Sequence, residues 1–232
     1  MDCVAVVTRC VRMFPIVIKG NNTMKKIVTL CLAGLMLSGG AIAAEGNQTV
    51  SLGFIQMKSD GLHNVYKNTN NLVKEYTSPY SDMSSDGYSD PKGMFMRYRY
   101  ELDDLWGVIG SFSYAVHDGK TESNSYASRV AVKTTGEYAS ALGGPSLRIN
   151  DYVSLFSLAG IAYKHVKQNI NVYSMYGNGA SSVSENKYNF AYSLGAQINV
   201  YEGLVIDAAY EASPGNSDWK TSGFTVGLGY KF

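Results

Sequence analysis

Residues 219–232, W-K-T-S-G-F-T-V-G-L-G-Y-K-F, decide between the folds open to this chain. Side chains on a β-strand point alternately to two faces. The apolar face carries Phe224, Val226, Leu228, Tyr230 and Phe232. The opposite face is small or polar and carries Gly223, Thr225, Gly227, Gly229 and Lys231. In a soluble sheet the apolar face would cover a core, whereas in an outer-membrane barrel it would face lipid.

The composition favours one β-rich domain or two small ones. The chain has 232 residues, of which 24 are Gly, 18 are Tyr and only 5 are Pro. That mixture is typical of a β protein with many turns. The formal net charge is +1, so composition gives no argument for nucleic-acid binding.

The N-terminus has the pattern of a secretory signal. Met24-Lys25-Lys26 is basic, residues 27–37 are apolar, and Ala41-Ile42-Ala43 is an A-x-A site, which predicts cleavage between Ala43 and Ala44. The apolar run is shorter than the roughly 20 residues that span a bilayer. Residues 1–23 precede this compact signal, so Met24 is the expected start; an extended basic leader is the alternative.

We therefore divide the chain into residues 1–43, an N-terminal extension with the signal peptide, and residues 44–232, the working domain. Cleavage removes five basic residues and one acidic residue, which leaves 15 basic and 18 acidic residues. It also removes Cys3, Cys10 and Cys31, so the remaining domain can be neither a disulfide scaffold nor a thiolate metal site.

Eight segments alternate like strands, and the lengths of their connections alternate too. The predicted strands cover 49–57, 93–101, 106–116, 137–149, 152–166, 188–200, 204–212 and 219–232. Long polar segments, 58–92, 117–136 and 167–186, alternate with short turns at 102–105, 150–151 and 202–203, and 213–218 is of medium length. Outer-membrane barrels have long external loops and short periplasmic turns. A soluble sandwich, the alternative, gives no reason for this alternation.

The predicted fold is all-β: an eight-stranded antiparallel up-and-down transmembrane β-barrel with four extracellular loops and three short periplasmic turns. The strand lengths suit the 9–11 tilted residues that cross a bilayer. Residues 44–232 contain no apolar run long enough for a membrane helix, so a spanning structure must be a closed barrel. The first and last strands must then pair to close it.

The polar face of each strand becomes the lumen, and eight strands leave an interior that side chains just fill. Charged residues of both signs are predicted there, namely Arg97, Arg99, Glu101, Arg148, Asp207, Glu211 and Lys231. A structural ion-pair network is the favoured interpretation, because these charges would obstruct so narrow a channel. A conducting pore is the alternative.

Several motifs resemble the Ail/Lom (OmpX-like) family of outer-membrane proteins, particularly its phage-encoded Lom branch. They are G-M-F-M-R-Y-R-Y-E-L (93–102), W-G-V-I-G-S-F-S-Y-A (106–115), G-G-P-S-L-R-I-N (143–150), S-L-A-G-I-A-Y (157–163), I-D-A-A-Y-E-A-S (206–213) and G-F-T-V-G-L-G-Y-K-F (223–232). The resemblance implies a prophage-encoded barrel in a Gram-negative outer membrane. It also implies attachment to host cells or matrix, with invasion or complement resistance in some members. The loops do not match, so no binding residue is carried over.

Catalysis and metal binding find little support in the sequence. The three histidines, His63, His117 and His165, have no Ser or carboxylate placed to complete a triad. The loop residues Asp82, Asp86 and Asp90 recur every four positions, whereas a calcium loop uses alternate positions. We predict no cofactor, no metal and no enzymatic activity; a lipid-modifying enzyme is a remote alternative.

Two functions remain open: a surface attachment protein, and a structural barrel or small pore without a host partner. Loop cations are the candidate contacts for sulfated glycans, host proteins or lipopolysaccharide phosphates, namely Lys58, Lys67, Lys74, Arg129 and Lys133. For any one of them, simple solvation of the loop is the alternative. Partners of the barrel itself are outer-membrane lipid and the barrel-assembly machinery.

The alternating residues Val226, Leu228, Tyr230 and Phe232 also resemble the signal that barrel-assembly machinery recognises. Deleting Phe232 is therefore expected to lower the amount of protein in the outer membrane and to leave binding by any assembled protein intact. Quantitative blotting of membrane fractions measures the first effect. Normal outer-membrane levels of the deletion would contradict the assignment.

Overall fold

The computed structural model describes residues 48–76, 82–85, 89–125, 128–174, 177–201, 203–215 and 219–232. The predicted signal peptide, the start at Met24 and the cleavage site between Ala43 and Ala44 lie outside these residues. The strands are β1 (Gln48–Ser59), β2 (Asp82–Ser85), β3 (Lys92–Glu101), β4 (Trp106–Ser125), β5 (Ser128–Arg148), β6 (Val153–Ser174), β7 (Gly177–Tyr201), β8 (Leu204–Ser213) and β9 (Thr221–Lys231). In the described part of the chain a single helix, α1 (Asp60–Tyr76), follows β1.

Eight strands close into an antiparallel ring, as predicted. β1 pairs with β3, each later strand pairs with the next, and β9 pairs back onto β1. The closing register runs from Thr49 opposite Lys231 to Ser59 opposite Thr221. The short β2 is a ninth strand, added to the outer part of β4.

The apolar face of β9 points outward and its small face lines the lumen, as predicted for a membrane barrel. Phe224 is 66% exposed and Leu228 is 61% exposed, whereas Thr225 is fully buried. Exposed aromatic residues lie at the turn end, at Trp106, Tyr152, Tyr201 and Tyr230, and towards the other end, at Tyr188, Tyr210 and Phe224. Two such girdles are typical of a membrane barrel.

Two of the short turns are closed by the same device, a side-chain oxygen that accepts two backbone N–H groups. Asp103 accepts from Leu105 at 2.8 Å and from Trp106 at 2.6 Å. These hydrogen bonds hold the pKa of Asp103 below its ordinary value. Asn150 accepts from Tyr152 and Val153 in the same way.

Two long polar segments predicted as loops are largely strand. β4 and β5 stay paired out to Ser125 opposite Ser128, and β6 and β7 out to Ser174 opposite Gly177. We call this extension the outer sheet: residues 117–125, 128–137, 165–174 and 177–186. Pro145 lies inside β5 opposite Val108, although a proline within a strand is usual only at an edge or a bulge. The β5–β6 ladder skips Gly144 and Pro145 without a shift in register, because proline has no N–H to donate.

The prediction that residues 58–92 form a loop was wrong for residues 60–76, which form α1. Leu62, Tyr66 and Val73 recur on one helical face and are buried. The Leu62 side chain fills the space beside Gly136, and Asn70 accepts a hydrogen bond from Thr121 at 2.8 Å. Thus α1 packs on the inner face of the outer sheet, at the barrel mouth. No helix in the described ranges is long and apolar enough to cross a membrane.

Two glycines, Gly53 in β1 and Gly227 in β9, leave room in the lumen for the aromatic ring of Phe95. A Cβ on Gly53 would lie 2.3 Å from the Val226 carbonyl oxygen and 2.6 Å from the Phe95 ring. A Cβ on Gly227, the cross-strand partner of Gly53, would also meet Phe95, at 2.8 Å. The closing ladder and the position of Phe95 therefore both require glycine at residue 53.

We expect Gly53→Ala to destabilise the barrel by about 1–3 kcal/mol, the usual cost of overpacking. The measurement is the temperature at which the folded, fast-migrating band disappears in gel electrophoresis. Gly110→Ala is the matched control, because the nearest atom to its new Cβ lies 4.0 Å away. Equal melting temperatures for the two variants would contradict this account of closure.

Candidate functional site

The centre of the lumen is organised around a buried ion pair between Arg97 and Asp207, both fully buried. Gln197 donates a second hydrogen bond to Asp207 at 2.7 Å. The Arg97 guanidinium lies between the rings of Phe95 and Phe156, with its central carbon 4.6 Å from each ring centroid. Stacking on two rings and pairing with a carboxylate compensate the loss of hydration of this arginine.

Closer to the outer sheet, the carboxylate of Glu211 is held by hydroxyl groups. It accepts hydrogen bonds from Tyr138 at 2.7 Å, Ser140 at 2.6 Å and Ser113 at 3.1 Å. Lys164 is the cation of this level, and its ammonium group donates to the backbone carbonyls of Ser213 and Trp219. One anion and one cation are therefore satisfied here mainly by neutral groups.

At the turn end of the lumen, three cations converge on one carboxylate. Glu101 contacts Arg99 at 2.7 Å, Lys231 at 3.0 Å and Arg148. Arg99 is 1% exposed, while the side chains of Arg148 and Lys231 are 22% and 20% exposed. We call these four residues the inner-mouth cluster.

All seven predicted lumen residues therefore line the barrel, and six of them form the ion pairs just described. The seventh, Glu211, takes hydroxyl donors instead. The prediction missed Lys164, although strand parity places it on the lumen face with Ser154 and Ala162. It also missed the Phe95 and Phe156 rings, because nothing in the sequence shows that they stack on the same arginine.

The outer sheet has a cationic row on the face turned away from α1. Lys120 lies directly opposite Lys133, and Lys167 is diagonal to Lys133 on the next strand. Asp118 is an acidic neighbour, 3.6 Å from Lys133, and Glu137 lies on the same face, diagonal to Lys167. Within the described residues, neither Lys120 nor Lys167 forms an ion pair. We call Lys120, Lys133 and Lys167 the lysine row.

The other predicted contact residues do not join this row. Lys58 is the second-last residue of β1, while Lys67 is exposed on α1 and Lys74 belongs to the last turns of the helix. Arg129 lies on the sheet but is paired with Glu122 at 2.9 Å. Lys133 is thus the one predicted contact that the fold brings into the row, and Lys120 and Lys167 were missed because cross-strand register is invisible in the sequence.

Titratable groups at the rim do not form a recognisable catalytic or metal site. The Ser89 hydroxyl lies 3.2 Å from His117 Nδ1, in an exposed position. Burial lowers the pKa of His117, and Asp118 and Asp90 partly oppose that shift. Burial likewise raises the pKa of Glu137 against the opposing charge of His165. Among the described residues, no three His, Cys, Asp or Glu side chains are grouped to hold a metal ion.

The closed ring, the lipid-facing apolar surface and the charged lumen define a transmembrane β-barrel protein of the bacterial outer membrane. The family model "Enterobacterial Ail/Lom protein" matches residues 63–232, so this chain belongs to the Ail/Lom family. The predicted family and location are thereby confirmed.

Individual relatives agree with this assignment. An attachment invasion locus protein of Yersinia enterocolitica is 41% identical over 155 residues, which cover 66% of this chain and 80% of the relative. Outer membrane protein lom of Escherichia phage lambda is 33% identical over 186 residues, covering 75% and 90% of the two chains, and it supports the link to prophages. The crystal structure of Ail from Yersinia pestis with the heparin analogue sucrose octasulfate matches with a TM-score of 0.55 and 31% identity, over 81% of this chain and 99% of that one.

The central ion pair makes a sharp prediction. Asp207→Leu leaves the Arg97 charge buried without its carboxylate, which should cost about 3–5 kcal/mol of folding free energy. The double variant Arg97→Met/Asp207→Leu removes both charges and should recover most of that loss. Urea unfolding in detergent, followed by tryptophan fluorescence, gives the three stabilities. A double variant no more stable than the single variant would refute this role for the pair.

Proposed function

We propose that this protein attaches its bacterium to host surfaces and that the lysine row binds a sulfated glycan. The observation that carries the proposal is the placement of Lys120 directly opposite Lys133 on a water-exposed sheet face. Like charges in directly opposed positions destabilise a sheet. An arrangement that costs stability fits a surface that binds a polyanion.

The charges around the row support an anionic ligand. Three ammonium groups stand against the carboxylates of Asp118 and Glu137, so the row carries a surplus of one positive charge. Neighbouring rows on the same face place Arg129 beside Glu122, where the charges cancel. Successive sulfate groups along an extended glycan match positive charges that are spaced across three strands.

The relatives point to the same function. The attachment invasion locus protein carries its role in its name, and the Ail structure holds a sulfated ligand. Export through the proposed signal, with cleavage after Ala43, would bring this chain to the same surface. The long strands β4–β7 then hold the lysine row outside the membrane.

Side-chain packing argues against the pore alternative. Arg97 and its two stacked rings fill the middle of the lumen, and α1 covers the inner face of the outer sheet at the mouth. A catalytic role finds no comparable support, because the Ser89–His117 contact lies on an exposed rim, where water is not excluded. Attachment is therefore the function that the arrangement supports best.

The direct test is binding to immobilised heparin by the variant Lys120→Gln/Lys133→Gln/Lys167→Gln. Exposed ion pairs contribute below about 1 kcal/mol each, so the loss of three should weaken binding roughly tenfold. Binding by the native protein should fall as salt is added, because the contacts are screened. The matched control is Lys67→Gln/Lys92→Gln/Lys220→Gln, which removes the same charge from other exposed lysines.

Expression in a non-adherent bacterial host tests the wider function. The native protein should confer attachment to host cells or matrix, and the lysine-row variant should lose it at equal surface display. If the native protein and the lysine-row variant confer equal attachment, adhesion belongs to another surface. The first candidate is residues 177–191 of β7, which pair only with β6 within the described chain. If the host bacterium attaches no better with the native protein than without it, the proposal is overturned in favour of a structural barrel. Conductance in planar bilayers would overturn it in favour of a pore.

A further inference from the structure

The inner-mouth cluster carries more positive charge than its surroundings balance. In the centre of the lumen Arg97 faces Asp207, and in the level above it Lys164 accompanies Glu211, so cations and anions are equal in number. At the periplasmic end, Arg99, Arg148 and Lys231 share Glu101 alone. The described part of the lumen therefore concentrates its surplus, two positive charges, at one end.

Neighbouring groups do not remove this surplus. Asp151, on the exposed β5–β6 turn, attracts Lys231 electrostatically, but these two described residues form no ion pair. The other described carboxylates at this end, Asp103 and Asp104, are exposed on the β3–β4 turn and form no ion pair with the cluster. Phe232 turns its ring outward, and its backbone N and O are bonded to Gln48 at 2.9 and 3.1 Å.

One polar atom in the cluster is buried without a hydrogen bond. Arg99 is 1% exposed, and its Nε has no hydrogen-bond partner among the described residues. Its terminal nitrogen meanwhile contacts Glu101 and, at 3.5 Å, Thr49. A buried donor of a charged group is costly to leave unpaired. Arg99 can thus donate one further hydrogen bond to an acceptor at the mouth.

We propose that the inner-mouth cluster binds a phosphate group that enters from the periplasmic side. Arg148 and Lys231 are each about one fifth exposed and form the accessible edge of the cluster on that side, and the buried Arg99 shares their partner Glu101. Guanidinium forks match the oxygens of phosphate, and a lysine adds a point charge. A phosphate monoester or inorganic phosphate carries about −1.5 to −2 at pH 7, which matches the surplus of two.

Two sources supply this chemistry: free phosphate in the periplasm and the headgroup phosphate of an inner-leaflet phospholipid. The cluster lies at the level of the aromatic girdle formed by Trp106, Tyr152, Tyr201 and Tyr230, where headgroups are found. A free dianion matches the surplus charge better than a singly charged phosphodiester. The test distinguishes the two sources.

The experiment uses the full-length protein, extracted from outer membranes into octyl glucoside, which contains no phosphate. Inorganic phosphate is titrated at constant ionic strength while the Arg99 Nε–H resonance is followed by nuclear magnetic resonance. We expect a saturable shift with phosphate and none with chloride. Isothermal titration calorimetry gives the affinity. The absence of saturable binding in both measurements would overturn the proposal.

The variant Arg148→Gln/Lys231→Gln removes the surplus and should weaken phosphate binding by at least about tenfold, because charge-assisted hydrogen bonds to phosphate are strong. Lys92→Gln/Lys220→Gln removes the same charge from two exposed lysines outside both clusters and should bind phosphate normally. Equal weakening in both variants, or none in the first, would mean non-specific attraction and would refute the site. If the first variant does not assemble, the native titration alone decides.

Reconstitution assigns the source. An Arg99 Nε–H resonance already at its bound position in phospholipid nanodiscs, and unmoved by added phosphate, would support the site with a headgroup as its occupant. A resonance that still moves on phosphate addition would support free phosphate. If the Arg99 Nε–H resonance is already at its bound position in octyl glucoside before any anion is added, an acidic group of the chain itself fills the mouth. That result would overturn the proposal.

Discussion

Closure of the ring by β1 and β9 is the constraint on which the rest of the structure depends. At hydrocarbon depth an unpaired backbone N–H or C=O costs several kcal/mol, so a sheet with open edges cannot exist there. The β1–β9 ladder joins 11 residue pairs, and Gly53 opposite Gly227 lets it form beside the Phe95 ring. Once the ring is closed, every strand has one face towards lipid and one face towards the lumen.

Because one face of every strand must point into the closed ring, the lumen has the chemistry of a packed interior. An eight-stranded ring is too narrow for a water-filled channel, so its polar face must be satisfied by other side chains. Arg97 achieves this with Asp207 and two aromatic rings, and Glu211 with three hydroxyl groups. Each group is bonded laterally, from one strand to another across the interior. The lumen is therefore a packed polar core that stiffens the barrel, rather than a route through it.

Sequence patterns predicted the parts of the chain that touch lipid. In β9 and β3 every second residue is apolar because lipid demands it, and the lumen charges then follow by parity. The outer sheet has water or α1 on its two faces, so runs such as Lys120-Thr121-Glu122-Ser123 show no alternation of polarity and were read as loop. Helix α1 was missed for a related reason: among its described side chains the buried apolar ones are Leu62, Tyr66 and Val73, set among asparagines and a glycine. The lysine row depends on cross-strand register, which no local pattern contains.

The balance of positive and negative charge along the barrel depends on how well water can reach each level. In the centre of the barrel, where the effective dielectric constant is low, Arg97 and Asp207 are matched one to one, since an unmatched charge there would cost several kcal/mol. The two unbalanced clusters lie at opposite ends: the lysine row on the outer sheet and the inner-mouth cluster facing the periplasm. A surplus is tolerable only where water or a ligand can reach it. The positions where charge balance fails are therefore those where the molecule meets something else, and the balanced centre keeps the two ends independent of one another.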